Sequence, residues 1–206
     1  DFVMKGQKYT PFASLPDKEV VDNSITFKAA SKSFSLAAMK IAWFFSTNPE
    51  LLALVRAQHR ANTNTLGVVA NQGALTDEGA DWLDQVNAYI DANQDFAEQY
   101  IRDNLPGVEY TKAQGTYLAW IDIGGVAERL GAKRLAEEAT ANSDTGRAVT
   151  AENIVGNWFV ENAKVQLNAG SSYGPGGENH MRMNVATSRQ TLKLALDNMA
   201  AALNDL

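Results

Sequence analysis

The run of periodic apolar residues between Thr76 and Gly107 limits this chain more than any other feature. Thr76-Asp77-Glu78 offers a cap and two acids for a helix N-terminus, and Leu105-Pro106-Gly107 stops the helix. In between, Trp82, Val86, Tyr89, Ile90, Phe96, Tyr100 and Ile101 recur at three- and four-residue steps. Asp81, Asp84, Asp91, Asp95 and Glu98 lie largely on the other side. At roughly 1.5 Å per residue this helix is about 40 Å long, enough to link two domains. The 206 residues, 45% hydrophobic and 20% charged, suit one or two globular domains with a real core.

Upstream, residues 5–23 read as a surface connection, with Gly6, Pro11 and Pro16 among charges at Asp17, Lys18 and Glu19. Ser24-Ile25-Thr26-Phe27 and Ile41-Ala42-Trp43-Phe44-Phe45 are short runs rich in β-branched and aromatic residues, and both are predicted to be buried strands. Asn48-Pro49-Glu50 opens a helix through Leu51, Leu52, Leu54 and Val55 to about His59. Residues 61–67 break it, and residues 68–74 are predicted to be helical again.

Downstream, Val108-Glu109-Tyr110 and residues 115–123 read as strands, and residues 124–160 as two helical stretches around an exposed break at 142–146. Residues 164–168 alternate like a strand. The glycine-rich stretch 170–177 lacks the Gly-Lys-Ser/Thr ending of a phosphate-binding P-loop and is expected to be a flexible loop. Residues 181–186 form a further strand. Thr187 or Ser188 then caps a final helix whose apolar face is Leu192, Leu196, Met199 and Leu203.

A net charge of -6 makes nucleic acid and anionic membrane surfaces unattractive partners. No apolar run approaches the roughly 20 residues that span a bilayer, and the first residues lack a signal-peptide pattern. With Cys 0, disulfides and thiolate metal sites are excluded, and a reducing cytoplasm is the natural setting. Two histidines, His59 and His180, are too few for a histidine-rich metal site, so no metal is expected.

Lys32 stands in a small-residue turn between the two predicted strands. Most lysines in such places are solvated surface residues. A lysine partly desolvated at a sheet edge is instead a nucleophile or base, as a Schiff-base lysine must be. Residues 31–40, Ser-Lys-Ser-Phe-Ser-Leu-Ala-Ala-Met-Lys, resemble the pyridoxal-phosphate lysine motif of the class I/II aminotransferase superfamily, nearest its MalY/PatB cystathionine β-lyase branch. In that branch a Ser-Lys-Thr-Phe-Asn-Leu-Ala-Gly type sequence is usual. Ser35 and Ala38 depart from it, and Ala29 stands where many aminotransferases have a phosphate-binding serine.

The likeness extends along the chain. Residues 115–123 resemble the Gly-Thr-Tyr-Leu-x-Trp-Leu-Asp segment of that branch, and residues 170–177 its Gly-x-x-Phe-Gly-x-x-Gly loop near the substrate mouth. Arg182, Asn184, Ala186 and Arg189 match the family's Arg-Leu-Asn-x-Ala-x-x-Arg pattern. Asp1-Phe2-Val3-Met4 is similar to a tetrapeptide that follows the family's cofactor-binding aspartate, so the resemblance covers the family's C-terminal half.

The resemblance implies an α/β fold: residues 1–80 ending the large three-layer domain, a long interdomain helix over 81–104, and a small α/β domain over 105–206. It implies a pyridoxal 5'-phosphate cofactor bound covalently by Lys32, with Lys40 and Asn64 also at the cofactor and Asn64 reaching toward a second subunit of a homodimer. It further implies that Arg182, Tyr117 and Asn184 bind an amino-acid substrate, Arg182 through the α-carboxylate. The activity implied is C–S β-elimination from a cysteine conjugate, giving pyruvate, ammonia and a thiol. An ordinary aminotransferase, which uses the same lysine and arginine, stays open. So does a catalytically inactive fragment, in which exposed Trp43, Phe44 and Phe45 would favour association.

Overall fold

The computed structural model describes residues 1–58, 62–143, 146 and 148–206. These form two compact units, Asp1–Ala88 and Tyr89–Leu206.

In the first unit the polar segment before residue 24 is mostly exposed, as its composition predicts, but it contains a short helix α1 (Lys18–Asp22). The Asp17 side chain accepts the Val20 N–H and caps it. Strands β1 (Thr26–Lys28) and β2 (Trp43–Phe45) pair antiparallel, Thr26 opposite Phe45. Both are shorter than the apolar runs suggested, and neither is buried: Phe27 is 67% exposed and also lies against Phe44. Among the described residues the two three-residue strands pair only with each other, and so small a sheet leaves its aromatic side chains partly exposed.

Helix α2 (Pro49–Gln58) starts where Asn48-Pro49-Glu50 predicts, with Asn48 Oδ1 accepting the N–H groups of Glu50 at 2.9 Å and Leu51 at 3.3 Å. Its predicted end at His59 and the start of the predicted break at Ala61 lie outside the described residues. Helix α3 (Thr65–Ala74) begins earlier than expected, because Asn64 caps it and so brings Leu66 and Gly67 into the helix.

Helix α4 (Asp77–Asn104) has 28 residues and ends at Leu105-Pro106-Gly107, as read from the sequence. Thr76 Oγ1 accepts the Gly79 N–H at its start. Its buried face differs from the predicted one. Ile90, Asn93, Gln94, Ala97 and Ile101 are buried, whereas Trp82 and Tyr89 are exposed. The periodicity is helical in both cases; aromatic rings drew the predicted stripe off the true one, which two amides complete.

In the second unit the sheet has the order β3-β5-β4, all antiparallel, from β3 (Leu118–Asp122), β4 (Asn168–Ala169) and β5 (His180–Asn184). Residues 108–110 give only a bridge between Glu109 and Asp122 rather than a strand. The strand expected over 164–168 shrinks to β4, because Lys164 takes the left-handed conformation (φ 56) at the end of the preceding helix.

Among the described residues of 124–163 there are three helices, not two: α5 (Gly124–Leu130), α6 (Ala132–Ala141) and α7 (Ala151–Ala163). Gly131, at φ 63, makes the turn between the first two, a conformation open to glycine at little cost. The predicted break at 142–146 includes residues outside the described set. Helix α8 (Arg189–Asn204) is capped by Ser188, and Leu192, Leu196, Met199 and Leu203 are all buried as its pattern predicts. Helix α7 packs against α5, α6 and α8, and Val126, Val155 and Phe159 join the α8 leucines in the core.

Candidate functional site

In the first unit the turn between β1 and β2 carries Lys32. The Phe34 N–H bonds back to the Ala30 carbonyl at 3.0 Å, closing the turn. Ser33 is buried and its hydroxyl donates to the Asp1 carboxylate. Phe34 stacks on Trp82, with ring centroids 5.4 Å apart, so the aromatic expected in the core of α4 instead supports the lysine turn. Lys32 itself is exposed. The partial desolvation expected of it is therefore not present in this chain: serines and alanines surround it, and they cover little surface.

A 3₁₀ turn over Ala37–Met39 ends at Lys40, exposed and left-handed at φ 51. Asn64 ties this segment to α3. Its Nδ2 donates to the Met39 carbonyl at 3.0 Å while its Oδ1 accepts the Leu66 N–H at 3.1 Å. Gly67 belongs to the same junction, since a Cβ there would meet the Met39 carbonyl oxygen at 2.8 Å. Asn64 thus fixes the backbone immediately before Lys40.

In the second unit alternation along the sheet puts Ala119, Ile121, Met181 and Met183 on the buried face. Trp120, His180, Arg182 and Asn184 take the other face. Arg182 lies on the central strand, opposite Trp120 on β3 and Asn168 on β4. Its guanidinium stands over the Tyr173 ring, 5.1 Å from the centroid, and Tyr173 meets Trp120 edge-on at 5.7 Å. His180 stacks on the far part of this group, 5.7 Å from Trp120. Among the described residues no acid pairs with Arg182, although Arg102 and Arg134 both have acidic partners. An unpaired guanidinium held by a ring face keeps its paired N–H donors available to a carboxylate.

Asn184, at the end of β5, turns its Oδ1 to the Ala186 N–H at 2.8 Å. Tyr117 is half-buried, and its carbonyl accepts the Val185 N–H at 3.0 Å. Arg182 and Asn184 are therefore alternate residues of β5, and Tyr117 stands one residue before β3, beside Val185, whereas Lys32, Lys40 and Asn64 share the first unit.

Several supporting residues escaped the sequence reading. Asn93 on α4 is fully buried; its Nδ2 donates to the carbonyls of Val185 (2.8 Å) and Thr187 (2.9 Å). Its Oδ1 accepts from Arg189 Nε at 2.7 Å, and the Arg189 guanidinium lies 4.5 Å over Phe96. The next residue, Gln94, donates to the Thr116 carbonyl at 3.1 Å and accepts from the Tyr110 hydroxyl. Thr116 is left-handed at φ 71.

Glu152, in the first turn of α7, is also buried, at 3% exposure. Burial alone would raise its pKa. Hydrogen bonds from the Thr150 hydroxyl, the Asn179 N–H and the Ser171 hydroxyl outweigh that and hold the carboxyl below the usual range. The one sequence signal for these residues is an amide or acid inside an otherwise apolar helical stripe. Among the described residues no group of three or more His, Cys, Asp or Glu side chains could hold a metal ion, and no helix is long and apolar enough to cross a membrane.

The sequence profile of the aminotransferase class I and II family matches residues 1–199, and the chain belongs to that family. Cystathionine beta-lyase PatB of Bacillus subtilis is 31% identical to it, over 99% of this chain and 48% of that protein. Cystalysin from Treponema denticola, whose crystal structure contains a pyridoxal 5'-phosphate cofactor, superposes with a TM-score of 0.78 at 26% identity, over 99% of this chain and 47% of its own. The pyridoxal-phosphate-bound C–S lyase of Staphylococcus hominis gives 0.73 at 27% identity, over 98% and 47%. The chain thus has the α/β fold of pyridoxal-phosphate-dependent transferases, and it spans about half the length of the curated relatives it matches.

Proposed function

We propose that the chain is the C-terminal half of a pyridoxal-phosphate-dependent enzyme acting on amino acids, and that the enzyme is a C–S β-lyase. The observation that carries this reading is Arg182. It is a guanidinium with no acidic partner among the described residues, held by Tyr173 on the open face of a sheet, in a chain that carries the family's lysine motif. Relatives named as cystathionine β-lyase and C–S lyase, at 31% and 27% identity, favour elimination over transamination.

The residues present fit the cofactor. It carries an aldehyde and a phosphate, and the first unit offers an accessible primary amine at Lys32 and a second exposed cation at Lys40 on one short loop, with Asn64 holding the backbone between that loop and α3. When bound, the cofactor supplies an electron sink for the pair released at the substrate Cα. Arg182 binds the substrate's α-carboxylate through two parallel N–H donors and so fixes the rotation about the Cα–carboxylate axis. Asn184 on the same strand and Tyr117 just before β3 complete the contacts to the bound amino acid. The Lys32 Nζ, once neutral, takes the Cα proton. Loss of a thiolate from Cβ then leaves an unsaturated amine that hydrolyses to pyruvate and ammonia.

Residues 1–80 belong to the large domain in this reading, 81–104 to the connecting helix and 105–206 to the small domain. The enzyme works as a cytoplasmic homodimer, with Asn64 near the partner subunit. The test is product analysis of the protein with cystathionine and with S-alkyl cysteines, with and without a 2-oxo acid. Pyruvate and thiol released without an oxo acid support the lyase. Product formed only with the oxo acid replaces it with an aminotransferase.

A further inference from the structure

The mechanism above gives no work to the buried acid of the second unit, Glu152. Its surroundings assign it some. Its Oε1 accepts the Asn179 N–H at 2.7 Å, and the Thr150 cap of its helix has its Oγ1 3.3 Å from Ser171 Oγ. Ser171 and Asn179 are the two ends of one loop. Between them the chain makes the 3₁₀ turn Gly170–Tyr173 and then Gly174-Pro175-Gly176-Gly177. The loop is closed at its neck by backbone contact: a Cβ at Gly170 would strike the Gly177 carbonyl, and one at Gly177 the Gly170 carbonyl. Asn179 holds a left-handed φ of 60, and its carbonyl accepts the Ile123 N–H at 2.8 Å. The neck is thus tied to Ile123, just after β3, on one side and, through Glu152, to α7 on the other.

The loop presents Tyr173, 52% exposed, whose ring lies under the Arg182 guanidinium. Arg182 reaches from a strand fixed by pairing on both sides, but its side chain has several free torsions. Among the described residues the one recorded partner for its charged end is that ring. Whatever sets the ring sets the guanidinium.

We propose that Glu152 is a positioning residue. By pinning Asn179 it holds the neck of the loop that seats Tyr173 against Arg182, and so aims the guanidinium at the substrate carboxylate. The proposal rests on the carboxylate role assigned to Arg182. Glu152 touches neither substrate nor cofactor. The acid serves here as an acceptor, because it is buried in the first turn of α7 and takes a loop N–H there.

The test compares Glu152→Ala, Glu152→Asp and Glu152→Gln by nuclear magnetic resonance on the 206-residue chain. The Arg182 Nε–H signal is assigned through Arg182→Lys, and its displacement by the tyrosine ring is calibrated with Tyr173→Leu. Glu152→Ala should move the Arg182 signal most of the way to its Tyr173→Leu position while the α7 and α8 backbone amides stay in place. Glu152→Gln, which keeps an acceptor for the Asn179 N–H, should restore it. Glu152→Asp keeps the charge but withdraws the carboxylate by one methylene, and should shift the signal even if the alanine variant fails to fold. An Arg182 signal unmoved in folded Glu152→Ala or Glu152→Asp overturns the proposal.

In turnover assays of the holoenzyme, Glu152→Ala should raise KM about ten-fold with kcat within about two-fold. Glu152→Gln should return KM toward the parent value. If Arg182→Ala leaves KM unchanged, the carboxylate role fails while the resonance experiment still decides the positioning. If Arg182→Ala raises KM and Glu152→Ala does not, the positioning fails alone.

Discussion

Replacing Asn93 by alanine should destabilise the second unit by about 3 kcal/mol. The side chain is fully buried and makes three hydrogen bonds: two donated, to Val185 and Thr187, and one accepted, from Arg189. Val185 is itself fully buried, so its carbonyl loses a partner that water cannot readily replace, at a cost of about 1–3 kcal/mol. The Thr187 and Arg189 groups are half-buried and can be rehydrated, so each contributes roughly 0.5–1 kcal/mol. The shorter side chain also leaves a small void, which a bridging water can partly fill.

Urea unfolding followed by the fluorescence of Trp120 and Trp158 measures the change, with Asn162→Ala as a control. Asn162 is exposed and, among the described residues, its side chain bonds the Trp158 carbonyl four residues back, so that variant should stay within about 0.5 kcal/mol of the parent. The midpoint of Asn93→Ala should fall with the slope unchanged. A loss below about 1 kcal/mol would show that the Asn93 bonds are replaced at no cost, and would refute the account of α4's buried face.

Other outcomes follow from the same contacts. Leu196→Ala, at a side chain with no exposed surface in the α8 core, should cost about 2–5 kcal/mol in the same assay. Glu152 has a depressed folded pKa, so its contribution to stability is present above the unfolded glutamate value and is lost as pH falls through the folded one. Unfolding free energy should therefore drop on acidification below about pH 4, and Glu152→Gln should flatten that slope; equal slopes in the two proteins would contradict the assignment. Arg182→Lys should raise KM for the amino acid by about ten-fold or more, because an ammonium cannot supply two parallel donors, and an unchanged KM would remove Arg182 from the substrate.

What the sequence showed and what it hid divide along physical lines. Helices with strong caps were legible: Asn48 before α2, Thr76 before α4 and Ser188 before α8 each accept an N–H of the first turn. The face of α8 was legible because it is wholly aliphatic. The face of α4 was misjudged because Asn93 and Gln94 look like solvent residues until the strand ends they serve are known. Those partners lie 22 to 96 residues away, at Thr116, Val185, Thr187 and Arg189, beyond any local pattern. Burial of β1 and β2 was over-read for a related reason: apolar runs report a tendency to be covered, and the cover must come from elsewhere in the fold. At the candidate site, Lys32 and Arg182 stood out through the family resemblance. Tyr173, Trp120 and Glu152 emerged only from the sheet register and the closed neck of the glycine loop, since their roles depend on which strands lie side by side.

The most direct test of the central claim is an absorbance titration of the 206-residue chain with pyridoxal 5'-phosphate, run beside Lys32→Ala. The account predicts a saturable visible band in the parent chain that the Lys32→Ala variant lacks, because in the proposed site Lys32 alone holds the cofactor aldehyde. A band of equal strength and affinity in both proteins would contradict it.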